Sequence, residues 1–486
     1  MRCRSPENCG CPRLISSGDI RCPRETGWAD RRRSNLATNN VREIILDILL
    51  SVFRDGVYSH NAIHGALEKV QYFSKRDRAF ITKVCEGTVE RLIELDYIID
   101  KFSSVPVTKM KPVIQNILRS ATYQICFMGG VPNSAAINEA VKIAQTRGFY
   151  GLKAFVNGVL RNIARSASDI EYPSKKSEPV RYLSVRYSMP EWIVEEWLEE
   201  FGELVTVRML ESFLKERPTT VRLKLHAANK KEILQSLRSQ GVTVSRAPYV
   251  NYAYNISGYN YLPALDAFMK GWIFPQDVSS MLVGECAKPN PGDYVIDMCA
   301  APGGKCLHVA DMMGGFGMVD ARDVSQDKVS LIQENVRRAD LINVRASVMD
   351  ALTFDGASEA RADLVICDLP CSGLGVIGRK PDIKYRITKA KIGELVELQR
   401  RILHNAASYV KPGGTLMYST CTISREENQE NVKWFVGNYP FHTESLNPYL
   451  PREIWRNSTE EGYLQLMPGI HETDGFFLCR MRRDPE

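Results

Sequence analysis

The sequence predicts a multidomain chain: an all-α N-terminal domain, a small α+β module, and a C-terminal α/β domain built on a largely parallel, doubly wound sheet. Three observations predict it. Apolar residues recur at helical spacing from Val41 to about Ala167. A polar stretch with two prolines, residues 166–180, interrupts that pattern and reads as a linker. From about Gln276, short apolar runs alternate with amphipathic helical ones, as when helices connect parallel strands. The expected boundaries are 1–39 for a tail, 40–167 for the helical domain, 168–180 for the linker, 181–275 for the module and 276–486 for the α/β domain.

Residues 1–39 carry eight arginines against four acids and read as a disordered basic tail. Their Cys3, Cys9, Cys11 and Cys22 match no usual zinc spacing, so no metal site is expected. In the helical domain, Val41, Ile44, Ile45, Ile48, Leu49 and Val52 follow the i, i+3, i+4, i+7 rule, and Ile114, Ile117, Leu118, Ala121 and Ile125 repeat it. Ser134 is expected to cap a helix carrying Ile137, Ala140, Val141 and Ala144. Phe155, Val156, Val159, Leu160 and Ile163 form a further stripe.

The module opens with helices around Trp192, Trp197 and Leu210, then a strand near 220–225 and a helix near 230–240. In the α/β domain, strands are expected at 294–297, 317–321, 343–347, 364–368, 415–419 and 476–479, with Lys411-Pro-Gly-Gly as a turn.

No run approaches the roughly 20 apolar residues of a membrane span, and no secretory leader is expected. Most cysteines lie inside apolar runs and suit a reducing cytoplasm. The net charge of +6 is carried largely by the tail, so charge alone says little about partners.

In a doubly wound sheet, ligands meet the loops at the carboxyl ends of the strands. The first such loop holds Cys299, Ala300, Ala301, Pro302, Gly303, Gly304 and Lys305. Its glycines permit close backbone approach, and it lacks the GxGxxG pattern of dinucleotide sites. Asp323, Asp350 and Asp368 end the second, third and fourth strands. Each alone is most simply a cap or a solvated loop residue. Together they suit a ligand with a ribose, an exocyclic amine and a positive charge, which describes S-adenosyl-L-methionine.

Cys371 and Cys421 lie just past strand ends, in turns of Pro, Ser, Thr and Gly. A cysteine in an apolar run is most simply a small buried hydrophobe, the reading taken for Cys85, Cys126, Cys286, Cys299, Cys306, Cys367 and Cys479. Cys371 and Cys421 differ in standing at strand ends beside a cofactor loop. A thiolate adding to C6 of cytosine would make C5 nucleophilic enough to accept a methyl group. Such a thiol needs a lowered pKa. Lys305, the cofactor's charge, and a helix capped by a Ser424–Glu427 box just after Cys421 are the expected causes.

The motifs DMCAAPGGK (297–305), DLPCSGLG (368–375), RKPDIKYR (379–386) and STCTISREEN (419–428) resemble the nucleolar-protein/Sun family of RNA cytosine-C5 methyltransferases. The resemblance runs from about residue 40 to DGFFLCR (474–480). It is strongest to the bacterial Sun type, whose helical N-terminal domain resembles NusB. The resemblance implies a Rossmann-like, S-adenosylmethionine-dependent catalytic domain. It implies that Cys421 is the nucleophile and that Cys371 helps free the product. It also implies cofactor contacts from the 299–305 loop, Asp323, Asp350 and Asp368, with Lys305 and Asp368 also near the base. Leu369 departs from the alanine or proline common in the family.

The expected partner is 16S ribosomal RNA before subunit assembly, bound by a monomer. Arg379, Lys380, Lys384 and Arg386 are expected to meet its phosphates. Arg217 and Arg222 read equally as RNA contacts or as ion-pair partners. The rival readings are a transfer-RNA methyltransferase and a non-catalytic RNA-binding assembly factor.

Overall fold

The computed structural model describes residues 40–226 and 229–485. The expected tail and its four cysteines lie outside the described residues.

The helical repeat from Val41 yields helices Val41–Phe53, Ser59–Lys69, Lys75–Glu90, Leu92–Phe102, Pro112–Phe127, Asn133–Thr146 and Lys153–Ser166. The first helix feeds two cores from adjoining flanks. Leu46 and Leu50 pack with Ile98, Leu118 and Leu160. Ile45 and Leu49 pack with Ile81, Val84 and Cys85. Ser74 caps the third helix by accepting a hydrogen bond from the Asp77 amide at 3.1 Å. Ser134 is not a cap, contrary to expectation. Its helix starts at Asn133 with Pro132 in the capping place, so Ser134 lies already inside the first turn.

Past the irregular stretch after Ser166 come helices Pro179–Tyr187 and Glu191–Phe213, the second bent at Gly202, where φ is +74°. They bury Leu183, Trp197, Met209 and Phe213 against Leu374, Ile377, Ile392 and Ile423 of the α/β domain. The module's own core forms under a four-stranded antiparallel sheet of β1 (Thr219–Leu223), β2 (Thr243–Arg246), β3 (Ala253–Ser257) and β4 (Ile273–Pro275), in the order β2-β3-β1-β4.

The α/β domain holds β5 (Tyr294–Asp297), β6 (Met318–Asp323), β7 (Val344–Val348), β8 (Ala362–Asp368), β9 (Val410–Thr420), β10 (Phe441–Thr443), β11 (Tyr463–Leu466) and β12 (Phe476–Arg483). The order is β10-β12-β9-β8-β5-β6-β7, with β11 paired to β12. β5 through β9 run parallel, whereas β12 is antiparallel to β9, β10 and β11. All six expected strands are present. β10 and β11 come in addition: each is three or four residues long and too short to show a pattern. The order reverses direction at β5, between β6 and β8. In such sheets that switch point opens the ligand crevice at the strands' carboxyl ends.

Candidate active site

Parallel pairing of β8 with β9 sets Asp368 beside Ser419. Three residues past Asp368 and two past Ser419, the chains bring Cys371 Sγ and Cys421 Sγ to 3.2 Å. The two loops are held in step by the Gly375 amide, which donates to Cys421 O at 3.1 Å. Ser372 and Thr422 hydroxyls meet at 2.6 Å.

The thiols are electrostatically unequal. A hydrogen bond from the Cys371 S–H pushes the Cys421 thiol below its ordinary value. Burial and Asp368 oppose this, and Lys305 and Lys380 add to it. Cys371 is pushed well up, by holding that bond to Cys421 and by burial. The other seven described cysteines are all pushed up, burial leading in each. Cys421 is thus the one described thiol biased toward thiolate. The expected helix start is not among the causes. The next helix begins only at Gln429, with no side-chain cap.

Glu427 has another task, which the sequence reading missed. Fully buried, its carboxylate accepts from the Ser372 amide at 2.9 Å, from the Ser372 hydroxyl, and from Gln399 Nε2 at 3.0 Å. Gln399 Nε2 also donates to Pro370 O at 2.9 Å. The S-x-x-E spacing was the only local signal, and it pointed to a cap instead.

Lys305, the second residue of helix Gly304–Met312, donates to Asp368 Oδ2 at 2.6 Å, and Ser419 Oγ donates to Asp368 Oδ1 at 2.8 Å. This ties the glycine loop to the thiol strands. Asp323, at the end of β6, accepts from the Ala301 amide at 3.0 Å, the Val324 amide at 2.8 Å and Lys328 Nζ at 3.0 Å. Ala300 donates to Arg322 O at 2.8 Å. The loop is therefore pinned along β6. Gly303, at φ +111°, takes a left-handed turn, and a Cβ there would strike Leu307 at 2.7 Å. Beside Gly304 a Cβ would meet nothing nearer than Gln276, at 4.0 Å, so that face is open. Asp350 stands two residues past β7, exposed, accepting from the Leu352 amide at 2.9 Å.

A residue not singled out before is Asp297, the last of β5. It is 1 % exposed, and neither carboxylate oxygen has a hydrogen-bond partner of good geometry. Burial and the Asp368 charge push it up to about 7. An open glycine face, carboxylates at or just past the ends of β6, β7 and β8, and an unsatisfied buried carboxyl at the end of β5 gather at the strands' carboxyl ends around the switch point. They fit a ribose-bearing, cationic cofactor such as S-adenosylmethionine.

The basic motif 379–386 is not a strip of free cations, because three of its four are engaged within the protein. Arg379 pairs with Asp474 at 2.5 Å and with Asp277 at 3.1 Å. Lys384 is 1 % exposed and donates to Glu90 O at 2.7 Å. Arg386 donates to Gly56 O and Val57 O at 2.6 and 2.7 Å. The motif clasps the helical domain, and only Lys380 has no ion pair or side-chain hydrogen bond among the described residues. Arg217 pairs with Asp474, and Arg222 is wholly buried with Asp311 and Gln276, so neither offers a free cation to RNA.

Comparison with known proteins agrees with this architecture. Residues 285–482 match the family model described as 16S rRNA methyltransferase RsmB/F, 39–165 match the NusB family, and 189–259 match the ferredoxin-like domain of RsmF/B-like methyltransferases. The chain is 36% identical over 449 residues to the probable ribosomal RNA small subunit methyltransferase B of Bacillus subtilis, covering 91% of this chain and 99% of that one. It is 30% identical to the protein of the same description from Synechocystis sp., with the same coverage. The crystal structure of PH0851 superposes with a TM-score of 0.77 at 27% identity, covering 91% of this chain and 98% of that one. With the thiol pair, the glycine loop and all three domains accounted for, the chain belongs to the family of ribosomal RNA small subunit methyltransferase B.

Proposed function

We propose that this S-adenosylmethionine-dependent RNA methyltransferase methylates C5 of a cytosine in 16S ribosomal RNA, with Cys421 as nucleophile and Cys371 as the group that aids product release. The observation that carries the roles is the 3.2 Å thiol pair in which only Cys421 is pushed toward thiolate. Its Sγ bonds to C6 of the pyrimidine, and the ring's electron pair becomes available at C5. When bound in the crevice, S-adenosylmethionine supplies an electrophilic methyl group for that carbon. The C5 proton is then lost to a base, the C6–S bond breaks, and the thiolate of Cys421 leaves. Once Cys421 Sγ is bonded to C6, Cys371 loses its thiolate acceptor and its S–H is free for proton exchange beside the adduct. Lys305 holds Asp368 in place at the floor of the site.

A base stacked in a duplex cannot reach a half-buried thiol, so the target is unpaired or flipped out. This favours RNA not yet packed into the subunit. The substrate reading rests on the small-subunit names of the relatives and on the NusB-like domain clasped to the catalytic one. The enzyme acts as a monomer in the cytoplasm, where its free thiols stay reduced. Among the described residues no helix is long and apolar enough to cross a membrane.

Mapping 5-methylcytosine in ribosomal and transfer RNA, with and without the protein, tests the reading. One 16S cytosine loses its methyl group when the protein is absent. Loss confined to transfer RNA, or no loss at all, would reject it.

A further inference from the structure

A cavity of about 620 Å³ opens between the helical domain and the catalytic domain. Its floor includes Cys371 and Ser372, but Cys421 and Asp368 do not line it. It therefore adjoins the point of thiol attack without being that point. One wall is the start of helix Ser59–Lys69, contributing Tyr58, His60 and Asn61. The opposite wall is helix Lys389–Tyr409, whose Leu395 and Leu398 give an apolar surface.

We propose that this cavity is a subsite for the single-stranded RNA nucleotide adjoining the target cytosine, built jointly by the two domains. The inference rests on the reading of the chain as an RNA methyltransferase acting at Cys421. The volume suits it, since ligand pockets span roughly 300–1,000 Å³. Charge suits it too: with Arg386 matched by Asp382 at 3.3 Å, Lys380 and Lys391 still line the cavity against a single acid, Glu394. Lys380, without a salt bridge or side-chain hydrogen bond among the described residues, is placed to meet a phosphate. Lys391 is steadied by donating to Arg386 O at 2.9 Å.

The remaining groups suit a base. The Arg386 guanidinium lies 4.4 Å from the Tyr58 ring centroid, and Tyr58 remains 47 % exposed. Arginine planes and aromatic rings are the surfaces on which unpaired bases stack. Asn61 adds an amide able both to donate and to accept. Burial and the Lys380 charge hold the His60 imidazole below its ordinary value, so it too can both donate and accept at neutral pH. The clasp keeps these groups in register with Cys371, because Ser59, between Tyr58 and His60, is bonded to Asp382.

The test uses the full chain and a 16S fragment carrying 5-fluorocytidine at the target and 4-thiouridine one nucleotide to either side. The fluorinated base holds the covalent adduct while light couples the thiouridine to its neighbours. Coupling is expected within residues 58–61 or 387–398. In parallel, His60→Ala and Asn61→Ala, both at exposed positions, should raise the KM for RNA about five-fold or more, as expected for loss of a base contact. The KM for S-adenosylmethionine should stay as it was. Coupling solely outside these segments, with RNA KM unchanged in both variants, overturns the subsite. Failure of the unaltered enzyme to methylate or trap the RNA at all would instead strike the reading on which the subsite rests.

Discussion

Asp382 accepts two hydrogen bonds from Ser59, one from its amide at 3.0 Å and one from its hydroxyl at 2.8 Å, across 323 residues of chain. Both groups are buried. The bond joins the helical domain to the segment that leads away from the Cys371 loop. Lys384, Tyr385 and Arg386 extend the same clasp onto the carbonyls of Glu90, Gly56 and Val57.

Removing that carboxylate should loosen the domains. Asp382→Ala leaves a buried amide and hydroxyl unpaired, costing roughly 2–6 kcal/mol at about 1–3 per group. Ser59→Ala keeps the amide bond and should cost less. Thermal unfolding and limited proteolysis between the helical and catalytic domains measure both. An Asp382→Ala protein as stable and as protease-resistant as its parent would show that the clasp contributes little.

The thiols should fail in different ways. Cys421→Ala should reduce methyl transfer to background, whereas Cys371→Ala should accumulate an enzyme–RNA adduct resistant to denaturing gels. Equal loss of activity without adduct in both variants would remove the distinction between them.

Adduct formation should depend on pH through Cys421. Its folded pKa lies below the ordinary thiol value of 9.0, so the rate should rise with pH and level off below 9. Cys371→Ala deletes the S–H that contributes most to that lowering. Its adduct-forming limb should therefore move to higher pH. An unmoved limb in the variant would mean that Lys305 and Lys380, not Cys371, set the ionisation.

Glu427 should act on the site without touching substrate. Glu427→Ala strands the buried Ser372 amide, while the Ser372 hydroxyl keeps Thr422 and Gln399 Nε2 keeps Pro370 O, so it should cost roughly 1–3 kcal/mol. Glu427→Gln keeps one acceptor oxygen and should restore much of the stability. If positioning is its role, the Gln variant should also slow adduct resolution more than RNA binding. Wild-type kinetics in a stably folded Glu427→Gln protein would reduce Glu427 to a packing residue.

Asp297 should leave a signature in stability against pH. Its carboxyl is pushed from 3.8 up to about 7. Between those values the folded protein holds a proton that the unfolded chain has lost, so stability falls as pH rises through the window. Asp297→Asn removes that slope. The variant's stability should gain on the parent's from about pH 4 to 7 and hold its advantage above, by on the order of a few kcal/mol, read as a rising difference in Tm. A Tm difference independent of pH would place the titration elsewhere.

The parts of this site that depend on strand ends were legible in the sequence. Apolar runs marked where each strand stops, so Cys371, Cys421, Asp323 and Asp368 could be set at one edge of a sheet before any pairing was known. What depends on contacts across long separations was not. Charge alone made 379–386 look like a phosphate strip, since nothing local shows that Lys384 is buried against Glu90. The Ser424–Glu427 spacing is the same whether the carboxylate caps a helix or reaches back to Ser372. β12 was visible as an apolar run, yet its antiparallel course is set by pairing with β9, and a run of residues carries no direction.

The side-by-side pairing of β8 and β9 separates two lengths that a sequence confounds. The 49 residues between the thiols include the 379–386 clasp and a helix whose Gln399 holds Pro370 O and Glu427, and only the stretches outside those anchors can lengthen or shorten without moving either sulfur. The short counts from Asp368 to Cys371 and from Ser419 to Cys421 cannot. One residue inserted in either tip would turn a sulfur away from its mate, whereas one inserted between the anchors of the intervening chain would leave the pair intact.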